Sequence, residues 1–329
     1  MLSRKLCTSI TLALAASCGM LSAQALAQGY PTRPIILVVP VAPGGPIDFV
    51  ARTISPELVT LLGQPIVVEN RAGASQKIGT QHMLRTADGY TFGMVSPTSL
   101  TIGPLQDKQI GYDPLKDFAF LSTVVETPFV LVANPKLGVR SMTELAAFAR
   151  ANPDKLTYGS GGDGTIAHLV AQAVMSKLGA SALHVPYKST GPAFNALMAG
   201  EIDLFVQSSL LTKPHIESGK LIGLGTTSSE RWDRLPSVPT LSESGPSELR
   251  GFSYKSWMGM ACAAGVPPEI AARLHRAIIA SLKTSRVMDV FTSAGWLVVP
   301  SSPEEFRRRV QEELALHKAL FEGSASPRP

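Results

Sequence analysis

Apolar and polar positions along this chain switch between two periods. Ile35 to Pro40 is an unbroken apolar run of strand length, and Ile47 to Leu62 then spaces its apolar residues three and four apart up to Gly63. Pro43-Gly44-Gly45-Pro46 stands between them, so the unit reads strand, glycine turn, helix. The alternation continues with Ile66 to Glu69 as strand, Ile78 to Thr86 as helix and Thr91 to Val95 as strand. Strands that alternate with helices predict an α/β fold built on parallel or mixed sheets.

A second series follows two separate apolar runs, Phe118 to Val125 and Phe129 to Ala133. Ser141-Met142-Thr143-Glu144 is a capping box that should open a helix through Arg150. Leu156 to Tyr158, the glycine turn Gly159 to Gly164 and a helix from Thr165 to Leu178 repeat the strand, turn, helix unit. Runs at Leu183 to Val185, Ile202 to Val206 and Ile222 to Thr226 make a second sheet. The stretch from Leu235 to Gly251 reads as a long connection, and helices are expected at Pro268 to Leu282 and Ser302 to Phe321. The chain should therefore cross between two domains twice, with residues 30–132 and 252–329 in one and 133–251 in the other.

The first residues change the compartment. Arg4 and Lys5, an apolar run from Ile10 to Leu21 and Ala25-Leu26-Ala27 follow the layout of a secretory signal peptide, so residues 1–27 should be removed near Ala27 and the mature protein exported to the periplasm. A lipoprotein anchored through Cys18 is the alternative, against which Ala15 stands where a larger aliphatic residue is wanted. After cleavage only Cys262 remains, so no disulfide within the chain is available and stability must come from the cores. About 300 mature residues exceed what a single core usually serves, which agrees with two domains.

Charge adds little. The formal +5 becomes 5 − 2 = +3 when Arg4 and Lys5 leave. Arg307-Arg308-Arg309 lies among Glu304, Glu305, Glu312 and Glu313 in a helical pattern, which is a solvated face rather than a nucleic-acid patch.

The chemistry concentrates at the two glycine turns. In open α/β sheets ligands bind beyond the carboxyl ends of strands, where turns present helix N-termini and unpaired N–H groups. Gly44 and Gly45 on the first unit, and Gly161, Gly162 and Gly164 on the second, allow close backbone approach and suit a small anion. Ser96, Thr98, Ser99, Ser160 and Thr165 add hydroxyl donors. Asp48, in the first turn of its helix, could orient the amides or complement the helix dipole; Asp203 could accept from a polar ligand or from the backbone; Tyr187 could border the cleft or a solvated turn.

Rival readings fit the residues less well. Gly159-x-Gly161-x-x-Gly164 matches a dinucleotide fingerprint, but His184-Val185-Pro186-Tyr187-Lys188 stands where its acid is expected. Ser160 does not complete G-x-S-x-G, and His168 and His184 have no partner at metal-ligand spacing. An exported hydrolase with Ser160 as nucleophile remains the competing class.

The residues also resemble a family in order and spacing over nearly the whole mature chain. Tyr30-Pro31-x-Arg33-Pro34-Ile35, Pro43-Gly44-Gly45-Pro46-x-Asp48, Val67-Val68-Glu69-Asn70-Arg71, Asp88-Gly89-Tyr90-Thr91, Tyr158-Gly159-Ser160 with Gly164-Thr165 and His168, and His184-Val185-Pro186-Tyr187-Lys188 are similar to the substrate-binding proteins of tripartite tricarboxylate transporters, the Bug family of periplasmic receptors. That resemblance implies a monomeric two-domain periplasmic binding protein fold, type II-like, with two mixed sheets flanked by helices and a ligand cleft between domains. It implies a small carboxylate held by Val41, Ala42, Pro43 and the turn onward to Asp48, and by Ser160 to Thr165 with His168 beyond. It implies delivery to integral membrane transporter subunits, or to a sensor, and no catalytic residue, metal or cofactor. The chain departs from the family at Ser75-Gln76-Lys77, where glycines are usual, and at Gln207-Ser208, where an Asp-Asn pair is common.

Overall fold

The structure, a computed structural model, describes residues 29–163, 165–187 and 190–324. The expected signal peptide and Gly164 lie outside the described residues.

β1 (Ile35–Val39) is apolar throughout and buried because it runs between two parallel neighbours, β2 (Ile66–Asn70) and β3 (Thr91–Val95). The helix Pro46–Leu62 opens with proline at its first position and stops at Gly63, whose φ of 75° suits glycine. It buries Val50, Ile54, Leu58 and Leu62 against β1 and the helix Pro268–Leu282.

β4 (Phe118–Ala133) is one strand where two separate runs were expected. Glu126-Thr127-Pro128 stays extended because this is where the strand changes partners. Phe118 to Pro128 pairs antiparallel with β9 (Lys255–Ala263), whereas Phe129 to Ala133 pairs with β7 (Leu204–Ser208) and β8 (Ile222–Thr226), and Phe129 N–H finds Thr227 Oγ1. Proline is tolerated at such a change of partner since one ladder ends there.

The second half adds β5 (Thr157–Ser160), β6 (Leu183–Pro186), β7 (Leu204–Ser208) and β8 (Ile222–Thr226), and then β9 (Lys255–Ala263) and the short β10 (Leu297–Val298) return to the first half. The hydrogen-bonded order β2-β1-β3-β9-β4-β7-β5-β6, with β8 and β10 also on β4, makes β4 the link between two mixed sheets. Each sheet carries helices on both faces, as four separate apolar clusters show, two to each lobe. The outward crossing falls between Pro128 and Phe129. The return falls between Tyr254, whose N–H bonds Thr227 of the second lobe, and Lys255, which pairs with Pro128. Both differ from the expected boundaries by a few residues, because the strand stays apolar on either side and composition does not mark the change.

The helix Pro303–Ser324 closes the first lobe, with Phe306 and Val310 packed among Val95, Phe120 and Trp257. Ser302 and Glu305 form a reciprocal capping box: Glu305 N–H donates to Ser302 Oγ at 3.1 Å and Ser302 N–H to Glu305 Oε2 at 2.8 Å.

Candidate functional site

The first wall is the turn from β1 into the helix Pro46–Leu62. Gly44 sits at φ 85° and donates its N–H to Asp48 Oδ2 at 2.8 Å. The same carboxylate accepts from Arg52 Nε at 2.9 Å and from Asn70 Nδ2 at 2.9 Å, while Asn70 Nδ2 also reaches the carbonyl of Val41 at 3.0 Å. Burial alone would raise the Asp48 carboxyl; the hydrogen bonds from Arg52, Gly44 and Asn70 outweigh it and hold the group at about 2. Asp48 is thus a fixed anion that sets the shape of the turn, and its partner Asn70 closes the turn from the end of β2.

The second wall is the turn from β5 into the helix Ile166–Lys177. Ser160 is fully buried; its hydroxyl accepts from Gly162 N–H at 3.0 Å and lies 2.6 Å from His184 Nε2. Thr165 Oγ1 donates to the Gly162 carbonyl at 2.8 Å. Behind the turn, His168 and His184 stack with ring centroids 4.0 Å apart and planes 3° from parallel, and Tyr158 stacks on His184 at 5.0 Å. Burial, then the neighbouring His168, pushes His184 down to about 4, so the imidazole is neutral at physiological pH. His184 Nδ1 lies 3.3 Å from Asp163 Oδ1, while Ser160 Oγ, which donates to the Gly162 carbonyl at 2.8 Å, meets Nε2, so the ring is held from both sides.

Ser160, His184 and Asp163 touch in the order of a hydrolase triad, yet the hydroxyl lies beneath the turn with no exposed surface. Asp163 is 81% exposed where a triad acid is buried and fixed. The contacts brace Gly162 and hold the Ser160 hydroxyl beneath the turn. Asp163, His168 and His184 also offer ligand atoms within 4.8 Å of one another. Lone pairs of parallel stacked imidazoles point along parallel planes, however, and do not converge on one ion.

Both walls border one cleft. A cavity of about 350 Å³ is lined by Val41, Gly45, Ile47, Gln76, Ser96 and Trp296 from the first lobe, and by Ile166, Thr190, Gln207 and Ser208 from the second. An adjoining cavity of about 280 Å³ shares Thr98, Phe129, Ile166, Thr190 and Gln207 with it and adds Gly161, Asp163 and Thr165. The helices Pro46–Leu62 and Ile166–Lys177 open on this space, and no side chain caps either. Ser141 and Thr240 cap the helices Met142–Ala151 and Leu241–Ser244. Lys77–Leu84, Ser209–Glu217, Pro268–Leu282 and Ser285–Ser293 share the lack of a side-chain cap, so what sets the two cleft helices apart is that both open on one cavity. Among the described residues the N–H groups of Ile47 and Asp48 in one helix, and of Ile166 and Ala167 in the other, have no side-chain cap and stand at the cleft.

The expected residues divide accordingly. Val41, Gly45, Ser96, Thr98, Gly161, Thr165 and Gln207 line the space. Ala42, Pro43 and Gly44 are exposed outside it, and Asp48, Ser160, Gly162 and His168 form or brace the turns from behind. Tyr187 packs its ring into the second lobe, and its N–H holds the Ser160 carbonyl at 3.0 Å. Ser99 bonds back to the Ser96 backbone rather than facing a ligand.

Of the two partners open to Asp203, a ligand or the backbone, the structure gives the backbone: its carboxylate accepts from Thr157 N–H at 2.8 Å and from Thr157 Oγ1 at 2.7 Å. It precedes β7, at the end opposite the cleft and about 13 Å of strand away from Gln207.

Gln76, Thr127, Ser256 and Trp296 line the cleft although the sequence reading did not choose them. Only Gln76 carried a signal. Ala74, Ser75 and Gln76 hold φ values of 44°, 50° and 75°, a left-handed run that glycine would adopt freely and that costs each of these residues about 1 kcal/mol.

A family model described as the tripartite tricarboxylate transporter family receptor matches residues 50–325. The protein BugT of Bordetella pertussis is 35% identical over 296 residues, covering 89% of this chain and 90% of its own. The chain belongs to the tripartite tricarboxylate transporter receptor family. Among solved receptors, the periplasmic binding protein BugD is 32% identical with a TM-score of 0.75, covering 89% of this chain and 98% of its own. A Rhodopseudomonas palustris protein solved with adipate is 31% identical with a TM-score of 0.78, covering 89% of this chain and 97% of its own. A second protein of that organism, MatC, carries bound malate; it is 29% identical with a TM-score of 0.74, covering 88% of this chain and 99% of its own. The receptor thus has the periplasmic binding protein fold. Among its described residues no helix is long and apolar enough to cross a membrane.

Proposed function

We propose that this receptor captures a small carboxylate in the cleft between its two lobes and delivers it to membrane subunits of a tripartite tricarboxylate-type transporter. The observation that carries the reading is the pair of uncapped helix N-termini, one from each lobe, opening on a single cavity. Each contributes about 0.3 to 1 kcal/mol to holding an anion, more where the site is partly buried, and their N–H groups add directed hydrogen bonds. Two solved relatives carry malate and adipate, both small carboxylic acids. The lobes are read as domains hinged at the two crossings; the closed state is favoured by ligand because only there do both turns reach one molecule. Arg4, Lys5 and the small residues before Gln28 supply export, with cleavage near Ala27, and the mature receptor works as a monomer.

Mass spectrometry of small molecules released by denaturing the purified protein checks this. The expected result is an intact small carboxylate in near-equimolar amount, or one that binds the emptied protein in calorimetry. Release of a cleaved ester would support a hydrolase instead, and a panel of carboxylates without any binding would reject the assignment.

A further inference from the structure

Gln76 and Gln207 face the same cavity from opposite lobes, and in each the amide oxygen is already taken. Gln207 is nine-tenths buried, and its Oε1 accepts from Ser208 N–H at 2.6 Å, which fixes the orientation of the amide. Gln76 Oε1 accepts from Ser96 Oγ at 2.9 Å. Among the described residues neither Nε2 has a partner, so two amide NH2 groups are left as donors in one space. The left-handed run at Ala74 to Gln76 places the first of them, in a conformation glycine would hold without strain.

We propose that Gln76 and Gln207 determine specificity by donating, one from each lobe, to a second acceptor oxygen of the bound carboxylate. The favoured class is a carboxylic acid with a further oxygen function: a second carboxylate, a keto group or an amide carbonyl. An acid with a plain hydrocarbon tail leaves two donors unpaired when the cleft closes, and a site built to hydrogen-bond a group discriminates strongly against the analogue that lacks it. This rests on the carboxylate-receptor reading above and adds which side chains select the ligand.

Calorimetry with paired acids of equal chain length, succinate with butyrate and adipate with hexanoate, tests it. In the unaltered protein the diacid should bind at least about tenfold more tightly in one pair or both. Gln76→Leu should lower that ratio several-fold, with Gln207 still donating. Gln207→Glu keeps an acceptor for Ser208 N–H but replaces the donor with an oxygen, so diacid affinity should fall on the order of 100-fold and hexanoate affinity by less. A preference that survives undiminished in both variants overturns the assignment, as does equal or tighter binding of the hydrocarbon acids to the unaltered protein. If none of the four acids binds while the carboxylate released from the protein does and lacks a second oxygen function, this inference fails alone. If no carboxylate binds at all, the receptor reading fails as well.

Discussion

Gly44→Pro should weaken carboxylate binding on the order of 100-fold, equivalent to about 2.7 kcal/mol, while the urea midpoint stays close to that of the unaltered protein. Proline cannot adopt the φ of 85° found here, and it lacks the N–H that Gly44 donates to Asp48. Both losses unseat the turn that brings Val41 and Gly45 to the cleft. A Cβ at Gly44 meets nothing within 4 Å, so the effect is conformational rather than steric. Asp48 retains Arg52 and Asn70, which is why the rest of the lobe should hold. Gly44→Ala, which keeps the N–H and costs roughly 1 kcal/mol in backbone strain, should fall between the two. Unchanged affinity in Gly44→Pro would remove this turn from the site.

Arg309→Ala should destabilise the protein by about 3 kcal/mol, read as a lowered urea midpoint with an unchanged slope. Arg309 forms an ion pair with Glu126 and another with Glu313, the latter at 3.0 Å, and its guanidinium lies 5.7 Å above the Trp257 ring. Glu313 also accepts from Trp257 Nε1 at 2.8 Å, and burial, countered by Arg309, raises its carboxyl above the usual range. Removing the cation strands two largely buried carboxylates where the chain crosses between lobes. Lys255, at 3.5 Å from Glu126, compensates only in part. Adding Glu313→Gln to Arg309→Ala should recover part of the loss, because one stranded charge disappears. A single variant as stable as the parent would show that solvent already screens these groups.

Much of this arrangement was legible in the residues, and the exceptions have physical causes. β1, β3, the helix Pro46–Leu62 and both glycine turns follow from local period and punctuation, which are properties of neighbouring residues. β4 was divided because Glu126-Thr127-Pro128 looks like a break, whereas a strand that changes sheets can carry polar residues and proline at the change. The choice between ligand and backbone for Asp203 was not legible, because alternation identifies a strand without saying which end faces the ligand. The direction of β7, parallel to β5 with both carboxyl ends at the cleft, places Gln207 there instead. Trp296 enters from a late segment with no local mark, since only the return of the chain through β9 and β10 brings it to the first wall. Gln76 was visible as a departure from glycine, but its meaning depends on a hydrogen bond to Ser96 twenty residues on.

The most direct measurement is a nitrogen–proton correlation spectrum of the emptied protein titrated with the carboxylate it releases, read at the amides of Ile47, Asp48, Ile166 and Ala167. If one acid is gripped by helix N-termini from both lobes, all four resonances move together and report one dissociation constant. Binding confirmed by calorimetry, with shifts confined to one lobe or absent from these amides, would contradict the account.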